Sequence, residues 1–310
     1  MSGPHFGVTL PQIKRSWEEA SEAAIQFEKL GFNSVWVCDH LFGVPNPSLP
    51  IMEAWTELAA VAAITKTVEL GTLVTPPFFR HPAVLAKQVS TIEQIAPGRP
   101  VIGLGAGWFE AEFEGYGVPF PSLPHRLLAL QESLEIIKGL YREKAFSFEG
   151  KYFSTREAIL EPKPKQTPKI LIGGGGEKIL LNIAARHADI WNNLAVFQKD
   201  LERKTTILKK HCETVGRDFS EITVSQQCMV VVSESEKDAM DALNKAKKIY
   251  GEHMGRGLEE HGIWGPPNRV IDCIEAHRKI GCEHFIIEFF GRDTRIPAMH
   301  FAETVIPAFR

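Results

Sequence analysis

Cysteine is scarce: five occur in 310 residues, and no two form a C-x-x-C pair. Cys38, Cys212, Cys228, Cys273 and Cys282 are scattered, which argues against a disulfide framework or a zinc site and suits a reducing cytosol. An excess of charge of one sign is also missing. Lys and Arg total 35 against 38 Asp and Glu, a net charge of -3, so nothing electrostatic points to nucleic acid or an acidic membrane surface. No apolar run is long enough to span a bilayer. No basic and apolar leader precedes the first strand, so no signal peptide is expected. H-E-x-x-H, G-x-S-x-G and clustered metal ligands are absent, which weakens metallo- and serine-hydrolase readings.

What is present is ordinary globular composition, 44% hydrophobic and 24% charged, at a length that suits one α/β barrel domain over 1–310. Short apolar segments alternate with amphipathic ones. The pattern predicts strands over 6–10, 34–38, 68–74, 100–105, 169–173, 189–191, 221–232 and 284–289. Between them it predicts helices over 16–31, 53–65, 83–95, 124–142, 177–186, 200–215, 268–280 and 294–309. Ser16, with Glu19 three residues on, reads as a capping box. A hairpin is expected from 145–148 and 151–153, turning at Glu149-Gly150. Residues 236–267 interrupt the alternation and read as an insertion after the seventh strand, with a helix over 237–250 and a loop over 251–267. Eight strand–helix units favour a closed (β/α)8 TIM barrel over an open sheet.

In such barrels the active site lies at the C-terminal ends of the strands. Polar residues and glycines gather there: Gln12 after the first strand, Asp39, His40 and Phe42 after the second, and Thr75 to His81 after the third. Ala106, Gly107, Trp108 and Phe109 follow the fourth, Gly173 to Gly176 the fifth, Asn192 and Asn193 the sixth, and Gly291 to Asp293 the eighth. Asp39-His40 is the best candidate for acid–base work; the alternative is a loop histidine bonded to a carbonyl. Gly173 to Gly176, ahead of a helix, form an anion site or a flexible turn. In VIGLGAGWFEAEFEGYG, from Val101, the glycines either admit a ligand close to backbone or make a tight turn. Trp108, Phe109, Phe78 and Phe79 either wall a planar ring or pack.

Several stretches taken together resemble a known family. VWVCDHL, LGTLVTPPFFRHPAVLAKQ, GLGAGWFEAEFEGYG, LPHRLLALQESLEII, FEGKYF and ILIGGGGEK followed by AARHADIW are similar, in this order and spacing, to the luciferase-like flavin and deazaflavin oxidoreductases. The similarity is greatest to their coenzyme F420-dependent branch and spans nearly the whole chain. It implies a (β/α)8 barrel with an insertion after the seventh strand and a deazaflavin at the C-terminal rim. It implies a non-prolyl cis peptide at Leu73-Val74, followed by Thr75, and a phosphate held by backbone at Gly174, Gly175, Gly176 and Glu177. Asp39, Ala106, Gly107 and Trp108 fall near the ring, and His40 matches a histidine given an acid–base role. Arg80, Arg126 and Lys165 are candidates for the cofactor's anionic tail, or else solvated charge.

Related sugar-phosphate dehydrogenases carry a glutamate proton donor where this chain has Trp108. The nearest acid, Glu110, is two residues on, and Phe42 replaces a family tryptophan. The expectation is therefore an F420-dependent oxidoreductase that moves a hydride between deazaflavin C5 and a small alcohol, aldehyde or activated alkene, with His40 relaying the proton. Substrate contacts are expected at Gln12, Phe42, Trp108 and the 251–267 loop. An FMN-dependent monooxygenase and a flavin-binding protein without turnover are the alternatives. The family also implies a homodimer, and the cysteine usage, charge balance and lack of clustered metal ligands predict a cytoplasmic protein with no membrane, nucleic-acid or metal partner.

Overall fold

The computed structural model describes residues 3–44, 46–254 and 257–310. The chain runs β1 (His5–Thr9), α1 (Trp17–Leu30), β2 (Ser34–Val37), α2 (Ala54–Ile64), β3 (Glu69–Thr72), α3 (Pro82–Ile95) and β4 (Pro100–Leu104). It continues through α4 (Glu110–Gly115), α5 (Leu123–Arg142), the hairpin β5 (Phe146–Glu149) and β6 (Ser154–Ala158), β7 (Lys169–Gly173), α6 (Leu180–His187) and β8 (Ile190–Asn193). Then come α7 (Leu201–Val215), β9 (Thr223–Val232), α8 (Glu236–Met254), α9 (Leu258–His261), β10 (Ile263–Gly265), α10 (Pro267–Lys279), β11 (Cys282–Phe289) and α11 (Arg295–Thr304). β1, β2, β3, β4, β7, β8, β9 and β11 pair in parallel and close, β9 bonding both β8 and β11. This is the expected (β/α)8 barrel.

Alternation along each strand sorts the residues into an outer core beneath the helices and three inner layers. The middle inner layer is apolar: Trp36, Val101, Leu171, Ile190 and Ile286 cluster inside the barrel. Trp36 is the largest of these side chains and requires glycine beside it. A Cβ on Gly71 would lie 2.3 Å from its ring, and one on Gly7 would lie 2.5 Å from its indole nitrogen. Below, at the N-terminal mouth, His5, Ser34 and His284 form a polar plug, the two imidazoles 4.4 Å apart. Above, Thr9, Cys38, Asn192, Ser225, Gln227 and Glu288 share the inward faces by the same alternation, so the upper barrel is polar and opens toward the C-terminal rim.

α1 starts on the predicted capping box: Ser16 Oγ accepts from Glu19 N at 3.3 Å, and Glu19 returns the bond to Ser16 N at 3.1 Å. Other boundaries need correction. The second hairpin strand is 154–158, not 151–153, because the buried Glu132 carboxylate gathers the amides of Lys151, Tyr152 and Phe153 at 2.7, 2.9 and 3.0 Å. Those amides are spent on a turn and are unavailable to a ladder. Asn192 and Asn193 are strand residues of β8, not rim residues beyond it. The insertion is more ordered than a helix and loop. β10 pairs with β9, and Val230 meets Phe289 of β11 on one edge and Ile263 of β10 on the other. A separate small core of Met229, Val231, Leu243, Leu258 and Trp264 anchors it to upper β9. Pro45 and residues 255 and 256 of the expected loops lie outside the described residues.

Four histidines are held neutral by burial: His284 well below 6.5, His187 down to about 4, and His5 and His277 lowered. A histidine whose folded pKa is depressed binds fewer protons folded than unfolded. Its stabilising effect is complete above pH 6.5 and drains as pH falls toward the folded value. Urea midpoints should therefore fall steeply from neutral pH toward pH 4. His187→Asn should flatten that slope by up to about 3 kcal/mol over the window; an unchanged slope would contradict the assignment.

Candidate active site

The C-terminal ends of β3, β4 and β7 meet over the barrel axis. The Leu73-Val74 peptide is cis. The Val74 side chain then wedges between two glycines. A Cβ on Gly105 would lie 2.4 Å from Val74 Cγ2, and one on Gly173 would lie 2.8 Å from Cγ1. One on Gly103 would lie 1.7 Å from the Thr72 carbonyl oxygen. These glycines make room for the chain's own Thr72 and Val74. Gly107 has φ +76, and a Cβ there would lie 2.9 Å from the Phe113 ring.

Beside the bulge sits a buried charge network. Asp39 is 2% exposed and accepts from Arg80 at 2.5 and 3.0 Å and from the Thr75 hydroxyl at 2.7 Å. Trp55 of α2 donates its indole N–H to Thr75 Oγ1 at 2.9 Å. Glu53, which caps α2, accepts from Arg80 Nη2, the nitrogen that also bonds Asp39 Oδ1. Burial pushes the Asp39 carboxyl up, and Arg80 and Thr75 oppose it. Burial also works against the Arg80 charge, but Asp39 and Glu53 outweigh it and hold the guanidinium above its ordinary value. Arg80 is thus committed to two carboxylates and is not available to a cofactor tail.

His40 faces the rim from the loop after β2. Its Nδ1 lies 2.9 and 3.1 Å from the two carboxylate oxygens of Glu112, which is 1% exposed and also accepts from Leu41 N at 3.0 Å. A carboxylate there fixes the tautomer with hydrogen on Nδ1, leaving Nε2 as the working nitrogen. Trp108 stands edge-on to the imidazole at 5.9 Å between ring centres, with Phe109 at 6.5 Å and Phe42 packed on Phe109 at 6.1 Å. Trp108 is half exposed. Glu110 is exposed, and the carboxylate beside His40 is instead Glu112, on the short helix α4 that sequence reasoning missed. Its signal was the neighbouring buried Phe113 within a six-residue amphipathic turn.

The glycine run is partly spent. Gly174 N bonds Asn192 O at 3.1 Å and Gly174 O accepts from the Trp191 indole at 2.9 Å, while Gly175 and Gly176 lie past the ladder. α6 begins at Leu180 rather than 177. Glu177 is held in the preceding turn, its carboxylate by Arg203 and its carbonyl by His211 Nε2 at 2.8 Å. In the upper barrel, Asn192 is fully buried with its side-chain nitrogen unpartnered.

Other candidates are engaged by the chain itself or lie elsewhere. Gln12 is 7% exposed and spent on the Cys38 backbone. Phe78 packs on Tyr152 and Phe153, and Phe79 on Phe113. Arg126 lies over Phe120 at 3.9 Å and donates to Pro121 O. Lys165 lies in the loop entering β7, at the N-terminal face, where its amide bonds Glu93 at 2.7 Å. Among the described residues no group of three His, Cys, Asp or Glu side chains is placed to hold a metal, and no helix is long and apolar enough to cross a membrane.

The family model for luciferase-like monooxygenases matches residues 2–263. The chain is similar to the F420-dependent glucose-6-phosphate dehydrogenase of Kineococcus radiotolerans, 28% identical over 94% of this chain and 92% of the other. It is similar to the enzyme of the same name from Microbacterium testaceum, 34% identical over 84% of this chain and 73% of the other. A solved F420-dependent secondary alcohol dehydrogenase, in complex with an F420-acetone adduct, superposes with TM-score 0.88 at 24% identity over 100% of both chains, which shows the fold.

Removing the Glu112 carboxylate should strand the Leu41 amide and free the His40 ring. Glu112→Ala should cost about 1–3 kcal/mol in chemical unfolding, and imidazole 15N shifts should show His40 as a mixture of tautomers. A single unchanged tautomer in that variant would refute the pairing.

Proposed function

We propose that the chain, which belongs to the luciferase-like monooxygenase family, is a coenzyme F420-dependent oxidoreductase acting on a small uncharged organic substrate. The dependence on F420 is supported by relatives of that name that align over most of the chain. The observation that carries the chemistry is the His40–Glu112 pair at 2.9 Å on the same rim as the Val74 wedge.

The residues present fit a bound deazaflavin. Val74 offers an apolar support over the barrel axis. Gly175 and Gly176 present backbone beyond the ladder for a phosphate. Asn192 has a buried donor with no partner of its own, suited to a ring carbonyl. When bound, the cofactor supplies a hydride acceptor or donor at C5. The chain's residues do the rest. Glu112 holds His40 with Nε2 facing the rim, and His40 exchanges the proton of the substrate oxygen or carbon as the hydride moves. Glu112 also supports the charge that the imidazole gains. Asp39, locked by Arg80, fixes the loop that carries His40.

The wall of Trp108, Phe109 and Phe42 favours an alcohol, a carbonyl compound or an activated alkene over a sugar phosphate. Trp108, standing where related dehydrogenases have an acid, offers no carboxyl to a sugar hydroxyl. A homodimer is part of the same reading and is tested by light scattering.

Titration of purified protein with F420 and with FMN should give tight binding of F420 alone; tight binding of FMN alone would overturn the reading. With a substrate in hand, His40→Ala should lower kcat by about 10²- to 10⁴-fold. Full turnover in that variant would remove His40 from the mechanism.

A further inference from the structure

Where β1 and β2 end and α2 begins, the fold holds a carboxyl that the rim chemistry does not use. Glu57 stands in the first turn of α2 and is 3% exposed. Its Oε2 accepts from Gln12 Nε2 at 3.3 Å, and its Oε1 is buried with no hydrogen-bond partner. A buried carboxyl with one bond is costly when charged. Burial pushes the Glu57 carboxyl up to about 7, the Gln12 bond pulls it back, and Glu53 raises it further.

Gln12 connects this carboxyl to the rim. Leu10 N bonds Trp36 O at 2.8 Å as the last ladder bond between β1 and β2. Pro11 then has no amide hydrogen to continue the ladder. The Gln12 side chain takes over. Its Oε1 accepts from Cys38 N at 2.6 Å, and its Nε2 donates to Cys38 O at 3.0 Å. Asp39 and His40 follow Cys38 directly.

We propose that Glu57 is a positioning residue: through the Gln12 amide it holds the Cys38 backbone, and its ionisation is felt at the Asp39-His40 pair. The two hydrogens on Gln12 Nε2 are divided between Cys38 O and Glu57 Oε2. An ionised acceptor binds its donor more strongly than a neutral one, so charged Glu57 draws the amide away from Cys38 O. The groups around it do not cancel this. Glu53 faces it from α2, and the Cys38 thiol faces it from the end of β2. Asp39 and Glu288 of β11 act on that thiol. Arg80, the nearby cation, is taken by Asp39 and Glu53. The inference rests on the rim being the active site, but its test needs neither cofactor nor substrate.

Protein labelled with 15N-cysteine has five cysteine amides to resolve, and their shifts can be followed from about pH 5.5 to about 8.5, the range around a group titrating near neutrality. The Cys38 amide should move with an inflection near neutral pH in the wild type. It should stay flat in Glu57→Gln, which keeps the acceptor without the titration, and in Gln12→Ala, which cuts the link. In 13C-glutamate-labelled wild type the Glu57 carboxyl should titrate with the same midpoint. A Cys38 amide that does not move in the wild type, an inflection that survives Glu57→Gln, or midpoints that disagree would each overturn the proposal.

Discussion

The rim depends on one buried carboxylate. Asp39 stands at the end of β2 with almost no exposure, and a charge in that position must be paired. Arg80, from the loop after β3, supplies the pairing, and Thr75 and Trp55 bring in the third strand end and α2. Two consecutive barrel units are therefore fastened at one point. Removing one partner of such a pair typically costs about 3–5 kcal/mol because the other charge is left buried. The network makes the loop carrying His40 part of the scaffold, so Glu112 has a fixed ring to orient.

The glycines above the barrel follow from a second constraint, volume. Thr72 and Val74 press into the ends of β4 and β7, and only residues without a Cβ at 103, 105 and 173 leave room. Trp36 makes the same demand lower down, on Gly7 and Gly71. The barrel axis is thus closed by the chain's own side chains at two levels. What remains open is the polar upper layer under the rim, where Asn192 keeps an unpartnered donor.

The strand–helix alternation was legible because a buried parallel strand and an amphipathic helix have different periods, and every barrel strand was found within a few residues. The Asp39-His40 position was legible because barrel chemistry sits at strand ends. What escaped was set by contacts between residues far apart in sequence. Glu132, nineteen residues before Lys151, captures the amides that looked like a second hairpin strand. Glu112 is seventy-two residues from His40, and its role exists only once α4 folds over the rim. Gln12 looked like a substrate contact because it follows a strand, yet the missing hydrogen of Pro11 turns it inward to finish a ladder.

The expectation that Trp108 stands in place of an acid reads differently once Glu112 is placed beside His40. Glu112 is 1% exposed and has both oxygens engaged by His40 and Leu41, so it is placed to orient the imidazole rather than to meet a substrate. Glu110 points to solvent. The proposed chemistry then rests on a single proton relay, His40 Nε2. One relay is sufficient when a single proton accompanies a single hydride, as between an alcohol and its carbonyl or across an activated alkene. In the proposed reading Trp108 therefore bears on the substrate as an apolar wall beside the one proton relay.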